Sequence, residues 1–243
     1  MSNDRQKRAE RAEQMRKERE KADKRQRNLI TIAIVAVVIV LVGVAAWGVT
    51  TMSEDNGPEA FGITYTAEDA GAEVADDAAE PIKVELYEDF QCPACAAFES
   101  AFGAELKDRV ASGQIEITYR PYSFLDRASL NDYSSRAHNA AMCVYEESGA
   151  AKYVEFHEYL YANQPPEQTA GPENEDLVAA AEGLGVKGIE DCVNDGTYDS
   201  RVERAREAGS EAGVTSTPTV FVDGEKLEDN STLLEAIDAA AGA

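Results

Sequence analysis

Two cysteines separated by two residues lie where a predicted strand ends and a predicted helix begins. Residues 82–91 are rich in β-branched and aromatic side chains and predict a strand, which Cys92–Cys95 follows directly. Apolar residues recur at helical spacing over residues 98–106, and residues 115–121 predict a second strand. The order strand, Cys-x-x-Cys at a helix start, helix, strand predicts an α/β fold with reactive sulfur at a strand-to-helix turn.

The position of each cysteine predicts its chemistry. Cys92 lies at the helix start, where free backbone N–H groups and the positive end of the helix dipole favour a thiolate. Cys95 lies one turn inside the helix and is expected to resolve mixed disulfides. A structural bridge and half of a zinc site are the alternatives. Zinc needs two more ligands, and the remaining cysteines and histidines show no paired spacing, so no metal is expected.

The rest of this region is mainly helical before it returns to a strand. Three or four helices are predicted over about 128–212, including one over about 152–162 and one that begins with Asn174 as its N-cap. His138 and His157 are interpreted as half-buried helix residues, and acid–base groups are the alternative. Pro218 stands just before a buried strand at 220–222, and residues 231–241 predict a closing helix. Cys143 and Cys192 are predicted to form a structural disulfide closing a loop of about fifty residues; two buried free thiols are the alternative.

A long apolar segment precedes the folded region. Residues 29–49 carry no charge, and twenty-one helical residues at ~1.5 Å each would span ~31 Å, close to a hydrocarbon core. A cleaved signal would have a shorter apolar region, so residues 29–50 are predicted to be a single transmembrane anchor. Eleven Lys and Arg precede this segment and none follows it until Lys83. The positive-inside rule therefore places residues 1–28 in the cytoplasm and the remainder outside.

Acidic residues dominate everything after the anchor. The chain of 243 residues has a net charge of −23, and its residues 51–80 contain nine Asp and Glu but no Lys or Arg. Residues 51–80 are therefore predicted to be an acidic tether, with one short strand at 61–65 that lies against the domain, and residues 81–243 to be the domain. Residues 81–243 hold 31 acidic and 12 basic residues, which excludes nucleic acid as the main partner.

Two motifs carry a family resemblance. They are Asp89-Phe90-Gln91-Cys92-Pro93-Ala94-Cys95 and Gly213-Val214-Thr215-Ser216-Thr217-Pro218-Thr219. With the helical insertion between them, they resemble the DsbA-like branch of the thioredoxin superfamily. The resemblance implies a thioredoxin fold with an inserted helical subdomain, a cis Pro218 facing the cysteines, Thr217 pairing with a bound peptide, and no cofactor. The basic stretch, anchor and second disulfide are similar to actinobacterial members.

The sequence departs from that family at two places. Pro93-Ala94 stands between the cysteines, where the strong oxidant of the family has Pro-His. The family often has a buried acid six residues before the first Cys, and Leu86 occupies that position here. Glu85 and Glu88 are the candidate proton relays instead, and Glu88 is preferred because it shares the strand face of Leu86.

The expected activity is disulfide formation in secreted or surface proteins by the Cys92–Cys95 pair. By resemblance, a membrane quinone-linked reoxidase of the DsbB or vitamin K epoxide reductase type would restore the disulfide. The alternatives are a disulfide reductase or isomerase, including one serving cytochrome maturation, and a non-catalytic module that binds unfolded clients. Direction depends on the redox potential relative to the partner, which a sequence does not set.

Overall fold

The computed structural model describes residues 61–75 and 79–242. The predicted basic segment 1–28 and the predicted anchor 29–50 lie outside the described residues. Among the residues that are described, no helix has both the length and the apolar character needed to cross a membrane.

A five-stranded mixed sheet forms the centre of the fold, in the order β1-β3-β2-β4-β5. The strands are β1 (Ile63–Tyr65), β2 (Ile82–Glu88), β3 (Ile115–Pro121), β4 (Thr219–Val222) and β5 (Glu225–Lys226). Only β2 and β3 are parallel, and the other neighbours are antiparallel. Leu86 of β2 lies between Tyr119 and Val220 in register, so the strand that leads to Cys92 is flanked on both sides. This arrangement confirms the expected thioredoxin fold with a helical insertion.

The helix after the first cysteine is α1 (Pro93–Ala111), which connects the parallel strands β2 and β3. Pro93 occupies the first turn, where its missing N–H costs no hydrogen bond. Phe98, Leu106 and Val110 are buried. The chain leaves the helix through Gly113, whose φ of 75° suits a residue without Cβ.

Four helices form the insertion: α2 (Tyr133–Ala162), α3 (Asn174–Gly183), α4 (Glu190–Asn194) and α5 (Asp199–Glu211). The predicted helix at 152–162 is the second half of α2, which continues through a non-helical Gly149. Asn174, predicted to be the N-cap of α3, is its first helical residue; Glu173 is the cap and exchanges hydrogen bonds with Asp176 in a capping box.

The remaining elements complete the sheet and cover it. The Thr217–Pro218 peptide bond is cis and leads into β4, and a turn at Asp223-Gly224 leads into β5. The final helix α6 (Leu233–Ala241) buries Leu233 and Ile237.

The domain begins before the predicted boundary at residue 81. Ile63 and Tyr65 are buried, and β1 pairs antiparallel with β3, whose edge it covers. The predicted tether of 51–80 therefore extends too far, because the alternating apolar residues at its end belong to the sheet.

Candidate active site

Cys92 lies at the meeting point of β2, α1 and the loop before β4. It is the N-cap residue of α1, with 8 % of its surface exposed, and Pro93 and Ala94 beside it are exposed. Its Sγ lies 3.5 Å from the carbonyl oxygen of Thr217. The sheet thus brings the Cys-x-x-Cys turn and the Thr217-Pro218 loop together, because β2 and β4 are neighbours.

The two thiols, both free in this structure, have opposite acidities. A hydrogen bond from Cys95, supported by Thr217 and by backbone N–H groups of Cys95 and Ala94, lowers the pKa of Cys92 to about 6 despite partial burial. Burial raises the pKa of Cys95 well above its usual value, and the hydrogen bond to Cys92 and the charge of Glu88 add to the effect. At neutral pH Cys92 is therefore a thiolate and Cys95 a protonated thiol.

Hydrogen bonds hold the loop around Pro218 in place. The Thr219 hydroxyl donates to the carbonyl of Ser216 at 2.7 Å. The Asn230 side chain donates to the carbonyl of Pro218 at 3.0 Å. These bonds leave the Thr217 carbonyl facing Cys92, and Pro218 has no backbone N–H to donate.

A buried carboxyl group, Asp89, ties the active-site turn to the insertion. It accepts hydrogen bonds from the N–H groups of Gln91 and Leu125, both at 2.8 Å, and from the Ser134 hydroxyl at 2.6 Å. Burial raises its pKa to about 6, against the lowering effect of these donors. The sequence analysis used Asp89 only as part of a motif, because its partners come from distant segments.

A loop of the insertion also binds the active-site turn. Gln164 donates from Nε2 to the Cys92 carbonyl at 2.9 Å. Gln91 donates from Nε2 to the carbonyls of Pro166 and Thr169, each at 3.1 Å. The sequence analysis missed this loop, since nothing in its composition indicates contact with Cys92.

Of the two predicted proton-relay residues, only Glu88 lies in the interior near the cysteines. It is 3 % exposed, and its charge adds to the effect of burial in raising the pKa of Cys95. Burial raises the pKa of Glu88 itself to about 8, and the charge of Cys92 contributes to this shift. Glu85 instead forms an ion pair with Arg120 at 2.7 Å, on the strand face opposite to Leu86, so it is not brought to the cysteines.

Glu88 belongs to a cluster that the sequence analysis did not find. His157 Nε2 lies 3.0 Å from Glu88 Oε2, and a carboxyl oxygen of Glu99 on α1 lies within 4.8 Å of both groups. The expectation of half-buried histidines was wrong, because His138 and His157 are only 3 % and 2 % exposed.

A cation could approach the donor atoms of Glu88, Glu99 and His157, which lie within 4.8 Å of one another. However, His157 Nδ1 has no hydrogen-bond partner among the described residues, whereas a metal-bound imidazole normally donates from its other nitrogen to an acceptor.

The other two cysteines form a separate disulfide. Cys143 of α2 and Cys192 of α4 are bridged with an S–S distance of 2.03 Å across 49 positions of sequence. The bridge therefore fastens two helices of the insertion to each other.

Comparisons with known proteins agree with this geometry. The family model described as Thioredoxin matches residues 74–239. Among solved structures, the reduced disulfide bond oxidoreductase DsbG of Mycobacterium tuberculosis is 33% identical with a TM-score of 0.65, covering 79% of this chain and 92% of that one. Oxidised DsbA of Mycobacterium tuberculosis is 33% identical with a TM-score of 0.63, covering 75% of this chain and 93% of that one.

Curated relatives fall into two groups. The probable disulfide bond formation protein D of Bacillus cereus is 25% identical over 205 residues, which cover 82% of this chain and 89% of that protein. The serine/threonine-protein kinase PknE of Mycobacterium tuberculosis is 25% identical over 150 residues, 58% of this chain. The chain spans only 26% of the length of that kinase. From the family model and the 33% identical structures, the chain belongs to the thioredoxin superfamily, in its DsbA-like branch of thiol–disulfide oxidoreductases.

Proposed function

We propose that this domain forms disulfides in secreted or surface proteins, with Cys92 and Cys95 as its redox pair. The observation that carries the proposal is the difference between the two thiols. Cys92, which is 8 % exposed and precedes the exposed Pro93, has a pKa lowered to about 6, whereas Cys95 is fully buried with a raised pKa. A stable Cys92 thiolate favours the reduced enzyme over its disulfide, which makes the disulfide an oxidant.

The reaction consists of two exchanges. A substrate thiolate attacks Cys92 Sγ of the Cys92–Cys95 disulfide, which forms a mixed disulfide and releases Cys95 as the leaving sulfur. A second substrate thiolate attacks the substrate sulfur of the mixed disulfide and releases Cys92 as a thiolate. Two substrate thiols are oxidised to one disulfide, and the enzyme disulfide is reduced by two electrons.

The loop before β4 is the proposed substrate-binding element. The Thr217 carbonyl already faces Cys92 Sγ at 3.5 Å, so the backbone of a peptide attached to Cys92 would pass beside it. An incoming backbone N–H would find its acceptor in Thr217. Pro218 presents no competing donor there.

The strength of the oxidant is proposed to be intermediate. Thiol pKa values are about 7 in thioredoxin and about 3.5 in DsbA, and the value of about 6 for Cys92 lies between them. Ala94 stands where the strong oxidant has a histidine, so that hydrogen-bond donor is lacking here.

Charge and chemistry support the proposed location and partner. Eleven Lys and Arg before residue 29, and none from there to Lys83, support a single-pass anchor with the domain outside the cytoplasm. A structural disulfide such as Cys143–Cys192 is typical of proteins in an oxidising compartment. A membrane quinone-linked reoxidase would close the cycle by accepting the two electrons.

The decisive test uses Cys95→Ala in the full chain, with Cys92→Ala as the control. Without Cys95, Cys92 should form mixed disulfides with secreted proteins that persist on non-reducing gels and disappear with dithiothreitol. Cys92→Ala should trap none. Failure of Cys95→Ala to trap thiol-sensitive adducts would remove Cys92 from the role of attacked sulfur.

The direction of thiol–disulfide exchange is tested separately. The domain is equilibrated with glutathione buffers and then supplied with a reduced, unfolded substrate. The oxidised domain should generate substrate disulfides stoichiometrically. A potential as reducing as that of thioredoxin would instead favour the reductase or isomerase alternative. Client binding that survives in Cys92→Ala without any thiol exchange by the wild type would favour the non-catalytic module.

A further inference from the structure

Two carboxyl groups meet in the interior behind the cysteines. Glu88 ends β2, and its side chain is 4 % exposed. Glu99 lies on α1, four positions after Cys95 and therefore on the same helix face. Carboxyl oxygens of the two side chains lie within 4.8 Å of each other, and His157 of α2 contacts Glu88 at 3.0 Å.

The surroundings of this pair do not balance two negative charges. Its ionisable neighbours are Cys92 at the N-cap of α1, Cys95 and Lys107 on α1, Tyr119 on β3, and His138, Tyr153, His157, Glu158 and Tyr161 on α2. Burial lowers the pKa of His138 to about 3. Burial lowers the pKa of His157, so this imidazole is neutral. Lys107, the one lysine in this set, forms an ion pair with Glu158.

One proton shared by the two carboxyl groups would remove this excess of negative charge. Oε1 of Glu88 and Oε1 of Glu99 are each buried without a donor from the described residues. One shared proton supplies the missing donor and removes one of two adjacent charges. In agreement, burial and mutual repulsion raise the pKa of Glu99 to about 8, and burial raises that of Glu88 to about 8.

A groove connects Glu99 with solvent. It lies between α1 and α2, measures about 380 Å³, and is lined by Glu99, Gly103 and Lys107 from one helix and Glu158 and Tyr161 from the other. Gly103 leaves room for the carboxyl group, since a Cβ there would lie 2.8 Å from Glu99 Oε2. Glu88, in contrast, is only 3 % exposed.

We propose that Glu88 and Glu99 hold one proton between them, deliver it to Cys95 when the Cys92–Cys95 disulfide opens, and exchange it with solvent through this groove. The inference deepens the proposed function and rests on it. It makes Glu99 a proton-transfer residue that acts through Glu88.

One proton moves to Cys95 during substrate oxidation and leaves it again during reoxidation. When a substrate thiolate attacks Cys92, the S–S bond breaks and Cys95 leaves with the bonding electron pair. The buried thiolate takes the proton of the pair, and the pair is reloaded from solvent through the groove. Before reoxidation the pair returns this proton to solvent through the groove. The ionised pair then removes the proton from Cys95 as this sulfur attacks a mixed disulfide at Cys92, which restores the one shared proton. The oxidant is then the partner disulfide, which receives both electrons.

The test compares Glu99→Gln with Glu105→Gln, an equal change of charge on the exposed side of α1. The reduced domain is mixed with glutathione disulfide between pH 5 and 9 and quenched with acid. Mass spectrometry then separates the first step, attack by Cys92, from the second, attack by Cys95. General-base assistance contributes roughly 10²–10⁴-fold, so Glu99→Gln should slow the second step at least tenfold at neutral pH. The inflection near pH 8 should vanish from that step.

The first step should change less than twofold in Glu99→Gln, and Glu105→Gln should match the wild type in both steps. A second step unchanged in Glu99→Gln, with the first intact, would overturn the proton pair and leave the proposed function standing. A wild-type domain that never forms the Cys92–glutathione adduct would overturn the proposed function itself.

Two further measurements test the shared proton independently. Gly103→Ala displaces the Glu99 carboxyl group without removing it, and it should move the inflection of the second step; it also replaces Glu99→Gln if that variant does not fold. Infrared spectra of the wild type at pH 7 should contain a protonated carboxyl band that Glu99→Gln lacks. A stoichiometric metal ion in the purified protein, lost in Glu99→Gln, would overturn the shared proton.

Discussion

Cys92 and Cys95 stand three positions apart, and their acidities differ because their surroundings differ. The Cys92 sulfur receives hydrogen bonds at a helix start, whereas Cys95 is 0 % exposed and faces the charge of Glu88. The helix start was visible in the sequence through Pro93 and the apolar spacing. The hydrogen bond between the two thiols and the contact with Thr217 were not.

The first prediction concerns alkylation of the reduced protein. The rate at Cys92 should rise with pH through a midpoint near 6 and level off above it, because the thiolate is the nucleophile. Cys95 should react only after unfolding. In Cys95→Ala the main stabilising hydrogen bond is lost, so the midpoint should move up towards the ordinary thiol value. A wild-type midpoint near that ordinary value would contradict the acidity assigned to Cys92.

The second prediction concerns Asp89. Its replacement by Ala leaves the N–H groups of Gln91 and Leu125 and the Ser134 hydroxyl without their buried acceptor. We expect a loss of about 3 kcal/mol in the free energy of unfolding, measured by urea denaturation. Asp108→Ala, at an exposed position of α1, is the control and should change stability little. Equal stability of the two variants would show that Asp89 does not hold the turn.

At the scale of elements, local patterns predicted strands and helices well and their ends less well. The strands β2 and β3 and the helix α1 follow from alternation and helical spacing. The single long α2 was predicted in pieces, since Gly149 interrupts its pattern. The strand β1 was predicted to lie against the domain, and its pairing with β3 confirms this. It was nevertheless counted with the tether, because its acidic surroundings resemble a linker.

The third prediction concerns the bridge between α2 and α4. Changing both Cys143 and Cys192 to Ala should lower the free energy of unfolding by about 2–4 kcal/mol, because a loop of 49 positions is no longer closed in the unfolded chain. The alkylation rate at Cys92 should stay within twofold. Under strong reduction, wild type and variant should have the same stability apart from the lost sulfur packing. Loss of Cys92 reactivity in folded variant would contradict a purely structural bridge.

For the whole molecule, the step in charge at residue 28 leads to the fourth prediction. Alkaline phosphatase fused after Ala243 should be active, and the same reporter placed before Asn28 should be inactive, because the basic segment stays inside. Replacing the basic residues of 1–28 by Gln is the control and should weaken this orientation. An inactive C-terminal fusion would contradict the oxidase proposal, since cytoplasmic thiols are kept reduced.

By itself the sequence determined what depends on neighbouring positions: the strand–Cys-x-x-Cys–helix order, Pro218 before a buried strand, and the charge step. Only the tertiary structure decided which distant groups meet. Cys92 and Thr217 are 125 positions apart, and Glu88 and His157 are 69 apart. Periodicity in the sequence assigns a side chain to one face of its own helix or strand. Which side chain of another element it contacts is decided by tertiary packing, here by the pairing of β2 with β4 and the packing of α2 against α1. The Glu88–Glu99–His157 cluster therefore appears only when three elements are packed, and burial then changes the acidity of groups that are ordinary in sequence.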